Sequence, residues 1–100
     1  MREEEFSLDA RVYKKGQDFS ITYRELLNLI KRFNDNGTLP TKSDIIIKKF
    51  GSKCNDRKFI RRKITDMLNI LKRKKYIRVS PIFDDEGKYV KNIYEVIEKE

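Results

Sequence analysis

The chain has 100 residues, 40% of them charged, and its 24 basic and 16 acidic side chains leave a formal net charge of +8. This length fits one small domain, which can bury a single core but not an additional deep active-site cavity. The sequence has no His and one Cys, which argues against a Cys/His zinc site and a disulfide framework. Residues 1–5 are acidic and no long apolar run occurs, so we expect a cytoplasmic protein that does not enter a membrane.

The positive charge is concentrated in the middle of the chain. Residues 41–78 contain 14 Lys or Arg and 3 Asp or Glu, a balance of +11, whereas the remaining residues have a balance of −3. A basic segment between nearly neutral ends is typical of a nucleic-acid-binding face. A solubilising surface would give the same count, so the order of the elements has to decide between the two.

The first 19 residues are interpreted as an N-terminal arm. Residues 8–12 alternate like a short strand, and residues 16–18 are typical of a turn. The apolar residues of the arm, together with the C-terminal strand, are the candidate surface of a homodimer. These apolar residues are Phe6, Leu8, Val12, Tyr13 and Phe19.

The first helix has a clear start signal. Thr22 and Glu25 have the spacing of a capping box, in which each side chain accepts a hydrogen bond from the other residue's backbone amide. Ile21 and Leu26 have the spacing of the hydrophobic staple that accompanies such a start. An apolar stripe at helical spacing then continues to the sequence Asn-Asp-Asn-Gly at 34–37, which ends the helix.

A second helix is predicted from Lys42 to Phe50, with Thr41 or Ser43 as its cap. Before it, residues 38–39 are expected to be extended, because a residue that precedes Pro40 is restricted to β geometry. The residues expected to face inward are Ile45, Ile46 and Phe50, and those expected to face outward are Lys48 and Lys49.

The third predicted helix runs from about Asp56 to Lys74, with Asn55 or Asp56 as its cap. Five apolar residues recur at helical spacing and define one buried face; they are Ile60, Ile64, Met67, Leu68 and Leu71. The opposite face is polar and carries Lys58, Arg62, Thr65 and Asn69, flanked by Arg61 and Lys63.

A β-hairpin is predicted after Lys75, where the period changes from helical to alternating. Its strands cover residues 76–83 and 88–96, and the turn between them is Asp-Asp-Glu-Gly at 84–87. Pro81 places the first strand at an edge of the sheet. The chain is thus divided into an arm (1–19), an α+β domain (20–97) and a tail (98–100).

The segment 64–78, Ile-Thr-Asp-Met-Leu-Asn-Ile-Leu-Lys-Arg-Lys-Lys-Tyr-Ile-Arg, resembles the winged helix-turn-helix family. Many members have an apolar residue, a Leu pair three apart, a charged turn and an apolar pair that opens the wing. The matching residues are Ile64, Leu68, Leu71, Tyr76 and Ile77. The family usually has Gly where this chain has Lys75. The chain looks most similar to PadR- and MarR-type regulators and to small winged-helix proteins of archaeal plasmids and viruses, among them plasmid-partition proteins.

The resemblance implies three helices followed by a β-hairpin wing, with the third helix in the major groove of double-stranded DNA. Arg suits bidentate recognition of guanine, whereas Lys and Thr suit phosphate. The residues expected to contact DNA are Thr41, Lys42, Ser43, Lys48, Lys49, Lys53, Asn55, Arg57, Lys58, Arg61, Arg62, Thr65, Arg78, Lys88 and Lys91.

Three further features of the sequence can each be interpreted in two ways. The basic run at 72–75 is either a phosphate clamp or a set of cations that stabilises a helix C-terminus, and we favour the second. The acidic wing tip at 84–86 should be repelled by phosphate, and alternatively meets the basic face of a neighbouring molecule. Tyr76, Tyr89 and Tyr94 either pack in the core or form a stacking platform for single strands.

We therefore expect a sequence-preferring double-stranded-DNA-binding protein associated with the nucleoid, a homodimer whose copies can extend to a higher-order assembly on DNA. Its role would be transcription regulation or plasmid partition. A winged-helix module that binds proteins and an RNA-binding protein remain as alternatives. An enzyme, a metal or a cofactor is not expected, because the sequence has no Gly-rich phosphate loop, no metal-ligand cluster and no carboxylate pair in an apolar setting.

Overall fold

The computed structural model describes residues 6–14, 16 and 19–97. Over these residues the chain has an α+β fold, in which three α-helices are combined with two antiparallel β-hairpins. The elements are β1 Arg11–Lys14, β2 Phe19–Thr22, α1 Tyr23–Asp35, α2 Lys42–Phe50, a short 3₁₀ turn Ser52–Cys54, α3 Lys58–Arg73, β3 Ile77–Phe83 and β4 Tyr89–Val96. In the described ranges no helix combines the length and the apolar character that crossing a membrane would require.

One hydrophobic core joins the inner faces of the helices and hairpins. Its buried residues are Phe19, Ile21, Tyr23, Leu26, Ile30, Ile45, Ile46, Ile60, Ile64, Met67, Leu68, Leu71, Ile77 and Tyr94. Burying one large side chain of this kind stabilises the fold by about 1.5–3 kcal/mol. The predicted inward faces of α2 and α3 are thus confirmed, except that Phe50 is half-buried and stacks on Phe19 with 5.2 Å between ring centroids.

Both α1 and α2 begin with a capping box. Thr22 Oγ1 accepts from the Glu25 amide at 3.0 Å, and Glu25 Oε1 accepts from the Thr22 amide at 2.8 Å. Thr41 and Asp44 form the same reciprocal pair at 3.2 and 3.0 Å. The predicted start of the first helix is confirmed, and of the two caps considered for the second helix Thr41 is the one used.

The described part of the N-terminal segment belongs to the domain. β1 pairs with β2, so the predicted strand at 8–12 is displaced toward residues 11–14. The prediction that Phe19 lies on a dimer surface is wrong, because Phe19 is buried in the core of its own chain. Of the other apolar residues of the arm, Phe6, Leu8 and Val12 are half-buried and pack against this core. Tyr13 is exposed.

Two residues of the predicted turn at 16–18, Gln17 and Asp18, lie outside the described residues, as do the first five residues of the arm and the tail at 98–100.

Residues 38–39, which were predicted to be extended, do not form a strand. A single backbone hydrogen bond, from the Tyr94 amide to the Pro40 carbonyl at 3.0 Å, joins this segment to β4. Pro40 has no amide hydrogen, so it cannot extend a ladder in both directions. The hairpin of β3 and β4 therefore stays two-stranded.

The side chain of Asn34 takes over part of the role of a third strand. Its Nδ2 donates to the Thr38 carbonyl at 3.0 Å and to the Tyr94 carbonyl at 3.4 Å. Its Oδ1 accepts from the Val96 amide at 2.8 Å. One amide thus fastens the end of α1 to the following loop and to the returning strand of the hairpin.

Lys75 takes the left-handed conformation that ends α3. Its φ is 68°, and it is the one described residue other than Gly with a positive φ. The Tyr76 amide donates to the Leu71 carbonyl at 2.9 Å, and the Lys75 amide donates to the Lys72 carbonyl at 3.0 Å. These two bonds define a Schellman-type helix end, for which Gly is the preferred residue.

Replacing Lys75 with Gly is expected to stabilise the protein. The left-handed conformation costs a residue with a Cβ about 1–2 kcal/mol, and the greater freedom of Gly in the unfolded chain offsets part of that gain. A net gain of about 1 kcal/mol should raise the Tm by about 4–8 °C. Thermal unfolding of Lys75→Gly checks this, with Lys74→Gly as control, since Lys74 has φ −83°. Lys74→Gly should lower the Tm; an equal fall in both variants would contradict the argument.

Candidate nucleic-acid interface

An open groove of about 340 Å³ lies between α2, α3 and β4. It is lined by Thr41, Lys42, Ser43, Arg61, Thr65, Asn69, Tyr89, Val90, Lys91, Asn92 and Tyr94. Three of these residues are cations and none is acidic. The groove brings together six of the residues predicted to contact DNA: Thr41, Lys42, Ser43, Arg61, Thr65 and Lys91. A cleft lined by one sign of charge concentrates the field and attracts ligands of the opposite sign.

Lys42 connects the start of α2 to the outer face of α3. Its Nζ donates to Thr65 Oγ1 at 2.8 Å. Partial burial lowers the pKa of Lys42, and the nearby positive charge of Arg61 lowers it further. Two cations therefore repel each other across a groove without a carboxylate, and a bound phosphate would relieve that repulsion.

Arg61 holds the turn between α2 and α3 in place. Its Nη1 donates to Asn55 Oδ1 at 2.7 Å, to the Asn55 carbonyl at 3.1 Å and to Ser43 Oγ at 3.3 Å. None of its described hydrogen bonds involves Nε or Nη2. Arg61 is thus first of all a positioning residue, a role that its place on the flank of the helix did not predict.

α3 begins at Lys58, two residues later than predicted. The prediction that Asn55 or Asp56 caps it is wrong, because the Asn55 side-chain oxygen is bound to Arg61 and the N-cap position is held by Arg57. Arg57 gives the helix no side-chain hydrogen bond, and the first turn contains no acidic residue. The positive end of the helix dipole is therefore not neutralised by a carboxylate within its first turn.

The outer face of α3 presents two exposed cations, Lys58 and Arg62. Neither side chain forms an ion pair or hydrogen bond within the described part of the chain. Thr65, half-buried, and Asn69, exposed, continue the same face into the groove. The polar face predicted for this helix is confirmed.

Three predicted contact residues lie away from the groove. Lys48 lies on the opposite side of α2, beside Arg32 of α1, and Lys49 forms an ion pair with Glu25 at 3.6 Å. Lys49 is half-buried rather than fully exposed. Arg78 is ion-paired with Glu95 at 3.1 Å.

The strand register accounts for the ion pair between Arg78 and Glu95. Val79 pairs with the buried Tyr94, whereas Arg78 pairs with Glu95 on the opposite face of the hairpin. Two other predicted residues are exposed outside the groove: Lys53 in the 3₁₀ turn and Lys88 at the end of the hairpin turn.

Sequence reasoning missed the contribution of β4 to the groove. Among the predicted contacts this strand was represented by Lys91 alone, yet Tyr89, Val90, Asn92 and Tyr94 also line the groove. The three tyrosines have separate roles: Tyr94 is in the core, Tyr76 is half-buried 6.0 Å from the ring of Phe6, and Tyr89 is exposed. They therefore do not form one stacking platform.

The cations of the groove suit an anion. In the part of the chain that the structure describes, no three His, Cys, Asp or Glu side chains are grouped to hold a metal ion. A scan against protein-family models, a search of the curated proteins and a search of the solved structures each find no match.

Proposed function

We propose that this chain is a sequence-preferring double-stranded-DNA-binding protein of the winged helix-turn-helix type. The observation that carries the proposal is the groove between α2, α3 and β4, which contains Lys42, Arg61 and Lys91 and no acidic side chain. The order of three helices and a C-terminal hairpin is compatible with a winged-helix layout. The sequence resemblance at residues 64–78 points in the same direction.

In the proposed complex α3 lies in the major groove. Its 16 residues span about 24 Å, and the major groove, about 12 Å wide, admits one α-helix. Arg62 reads a base edge, and Lys58 and Lys42 neutralise phosphates. Arg61 keeps α2 and α3 in the relative orientation that these contacts to bases and phosphates require.

The hairpin of β3 and β4 would be the wing. Lys91 and Asn92, which line the groove, follow the DNA backbone, whereas the turn at its tip, with Asp84, Asp85 and Glu86 exposed, stays away from the phosphates because like charges repel. In the cell, such a protein would regulate transcription, or support plasmid partition if copies assemble along DNA. Both roles use the same face of α3.

A competition titration tests the proposal. The protein is bound to a labelled duplex taken from the DNA that flanks its own gene. The salt concentration is about 200 mM, at which weak non-specific binding is suppressed. Unlabelled flanking duplex, random duplex, structured RNA and single-stranded DNA then compete, and fluorescence anisotropy is read. We expect the flanking duplex to compete best. Stronger competition by structured RNA would favour the RNA-binding alternative, and no binding to any nucleic acid would favour the protein-binding module.

The position of Lys42 predicts a different salt response from that of Lys48. Lys42→Met should reduce the slope of log K against log salt by about 0.9, the value for one phosphate contact. Lys48→Met removes the same charge on the α1 side of α2 and should leave the slope unchanged. Titrations of both variants over a salt series make the comparison, and equal slopes would contradict the assignment of the groove.

The same substitution should not reduce stability. The pKa of Lys42 is lowered in the folded protein, so its charged form is disfavoured there relative to the unfolded chain. This cost is present at neutral pH and disappears as the pH rises toward the ordinary lysine value of 10.5. Loss of the hydrogen bond from Lys42 to Thr65 opposes this gain, so we expect Lys42→Met to bind DNA more weakly while its Tm at neutral pH changes little.

A further inference from the structure

An exposed apolar patch lies at the tip of the β3–β4 hairpin. Phe83 and Tyr89 are each 56% exposed, and Val90 is 54% exposed. The two rings are in edge-to-face contact, with centroids 6.3 Å apart, and stand opposite each other where the strand register shifts. Three large apolar side chains grouped on one protruding element are typical of a contact surface.

The charges beside the patch indicate what covers it. Asp84 is engaged in the turn, where its Oδ1 accepts from the Glu86 and Lys88 amides, both at 2.9 Å. Asp85 and Glu86 are exposed, and within the described residues neither carboxylate has an ion-pair partner. A surface that combines aromatic rings with carboxylates suits a basic partner, whose Lys and Arg stems cover the rings while their charges meet the carboxylates. Duplex DNA is repelled by the same carboxylates.

The chain itself carries a complementary surface at the other end of the hairpin. Lys72, Arg73 and Lys75, here called the basic end of α3, are exposed. β3 separates them from the tip, and its 7 residues span about 20 Å. The tip therefore cannot reach the basic end of its own chain, but it can reach that of another molecule.

We propose that the hairpin tip, formed by Phe83, Asp85, Glu86, Tyr89 and Val90, docks on the basic end of α3 in a second copy of this chain. The contact uses a different part of α3 from Lys58 and Arg62, although Tyr89 and Val90 also line the edge of the groove. It goes beyond DNA binding and does not require DNA to form. The contact is heterologous, because it joins the hairpin tip of one copy to the basic end of α3 in another. Each copy carries both surfaces.

Charge reversal tests this contact in the absence of DNA. The tip variant carries Asp85→Lys and Glu86→Lys, and the basic-end variant carries Lys72→Glu and Arg73→Glu. Sedimentation equilibrium is run at about 150 mM salt, where the Debye length is about 8 Å and the overall repulsion between the copies is screened. Asp84 is left unchanged because it holds the turn, and the Tm of each variant confirms that it is folded.

The wild-type chain is expected to self-associate, and each variant alone should do so at least tenfold more weakly. A mixture of the two variants should form a heterodimer. The positively charged tip of one variant then meets the negatively charged α3 end of the other, and the unchanged tip of the second variant meets the unchanged basic end of the first. The control Asp35→Lys with Asp56→Lys changes the net charge as the tip variant does, at exposed sites elsewhere, and should associate like the wild type. A monomeric wild type, full association of either variant alone, or a mixture that stays monomeric would overturn the proposal.

Discussion

Arg62→Ala is expected to weaken binding to the specific duplex by about 1–3 kcal/mol, the discrimination carried by one bidentate contact to a base. This corresponds to about a 5- to 150-fold loss of affinity. Arg62 is exposed on the outer face of α3, and no described side-chain contact competes for its guanidinium. Its removal should therefore leave the fold intact and act on binding alone.

The comparison with random DNA separates a base contact from a phosphate contact. Loss of a phosphate contact weakens all sequences equally, whereas loss of a base contact weakens the specific duplex more. Arg32→Ala is the matched control, because Arg32 is an exposed arginine on α1, on the far side of α2 from the groove. Anisotropy titrations of both variants on both duplexes give the answer. An equal loss of affinity for the two duplexes would mean that Arg62 contacts a phosphate and not a base. No loss of affinity for either duplex would mean that Arg62 does not contact DNA.

Asn34→Ala is expected to lower the free energy of unfolding by about 2–3 kcal/mol, because the Val96 amide and the Tyr94 carbonyl lose a partner at a partly buried joint. For a domain of this size the Tm should fall by about 10–20 °C. The hairpin forms one wall of the groove, so its loosening should also weaken DNA binding, although Asn34 does not line the groove.

Two comparison variants show which part of Asn34 matters. Asn28→Ala replaces an exposed asparagine of the same helix and should change the stability by less than about 0.5 kcal/mol. Asn34→Asp keeps an acceptor for the Val96 amide but removes both donated bonds, so its Tm should lie between those of the wild type and Asn34→Ala. Thermal and urea unfolding measure the series. If Asn34→Ala were as stable as Asn28→Ala, the core alone would hold the hairpin in place.

Elements with local signals could be predicted from the sequence. The Thr22–Glu25 capping box depends on two residues three positions apart, and the apolar stripe of α3 depends on a repeat within one helix. Both were predicted, and both are confirmed. The β3–β4 hairpin was found for the same reason, since its change of period and its Gly-containing turn lie within one stretch of chain.

Features that depend on contacts distant in sequence were missed. Asn34 was interpreted only as part of a helix end, because its partners in β4 lie some 60 residues away. Asn55 was misinterpreted for a more local reason, because its side chain binds Arg61, six residues along the chain, instead of capping α3. Lys49 looked solvent-facing until the packing of α2 on α1 brought it to Glu25. In each case a polar side chain follows a tertiary partner rather than its local pattern.

The most direct test of the central claim is to map the DNA-binding surface in solution. Backbone amide chemical shifts of the ¹⁵N-labelled protein are followed while the flanking duplex is added. We expect the largest changes at Ser43, Arg62, Thr65 and Asn69, with little change at Leu29 and Arg32 on the α1 side. Changes confined to the α1 side, or no changes at a duplex excess over protein, would contradict the assignment of the groove as the DNA-binding site.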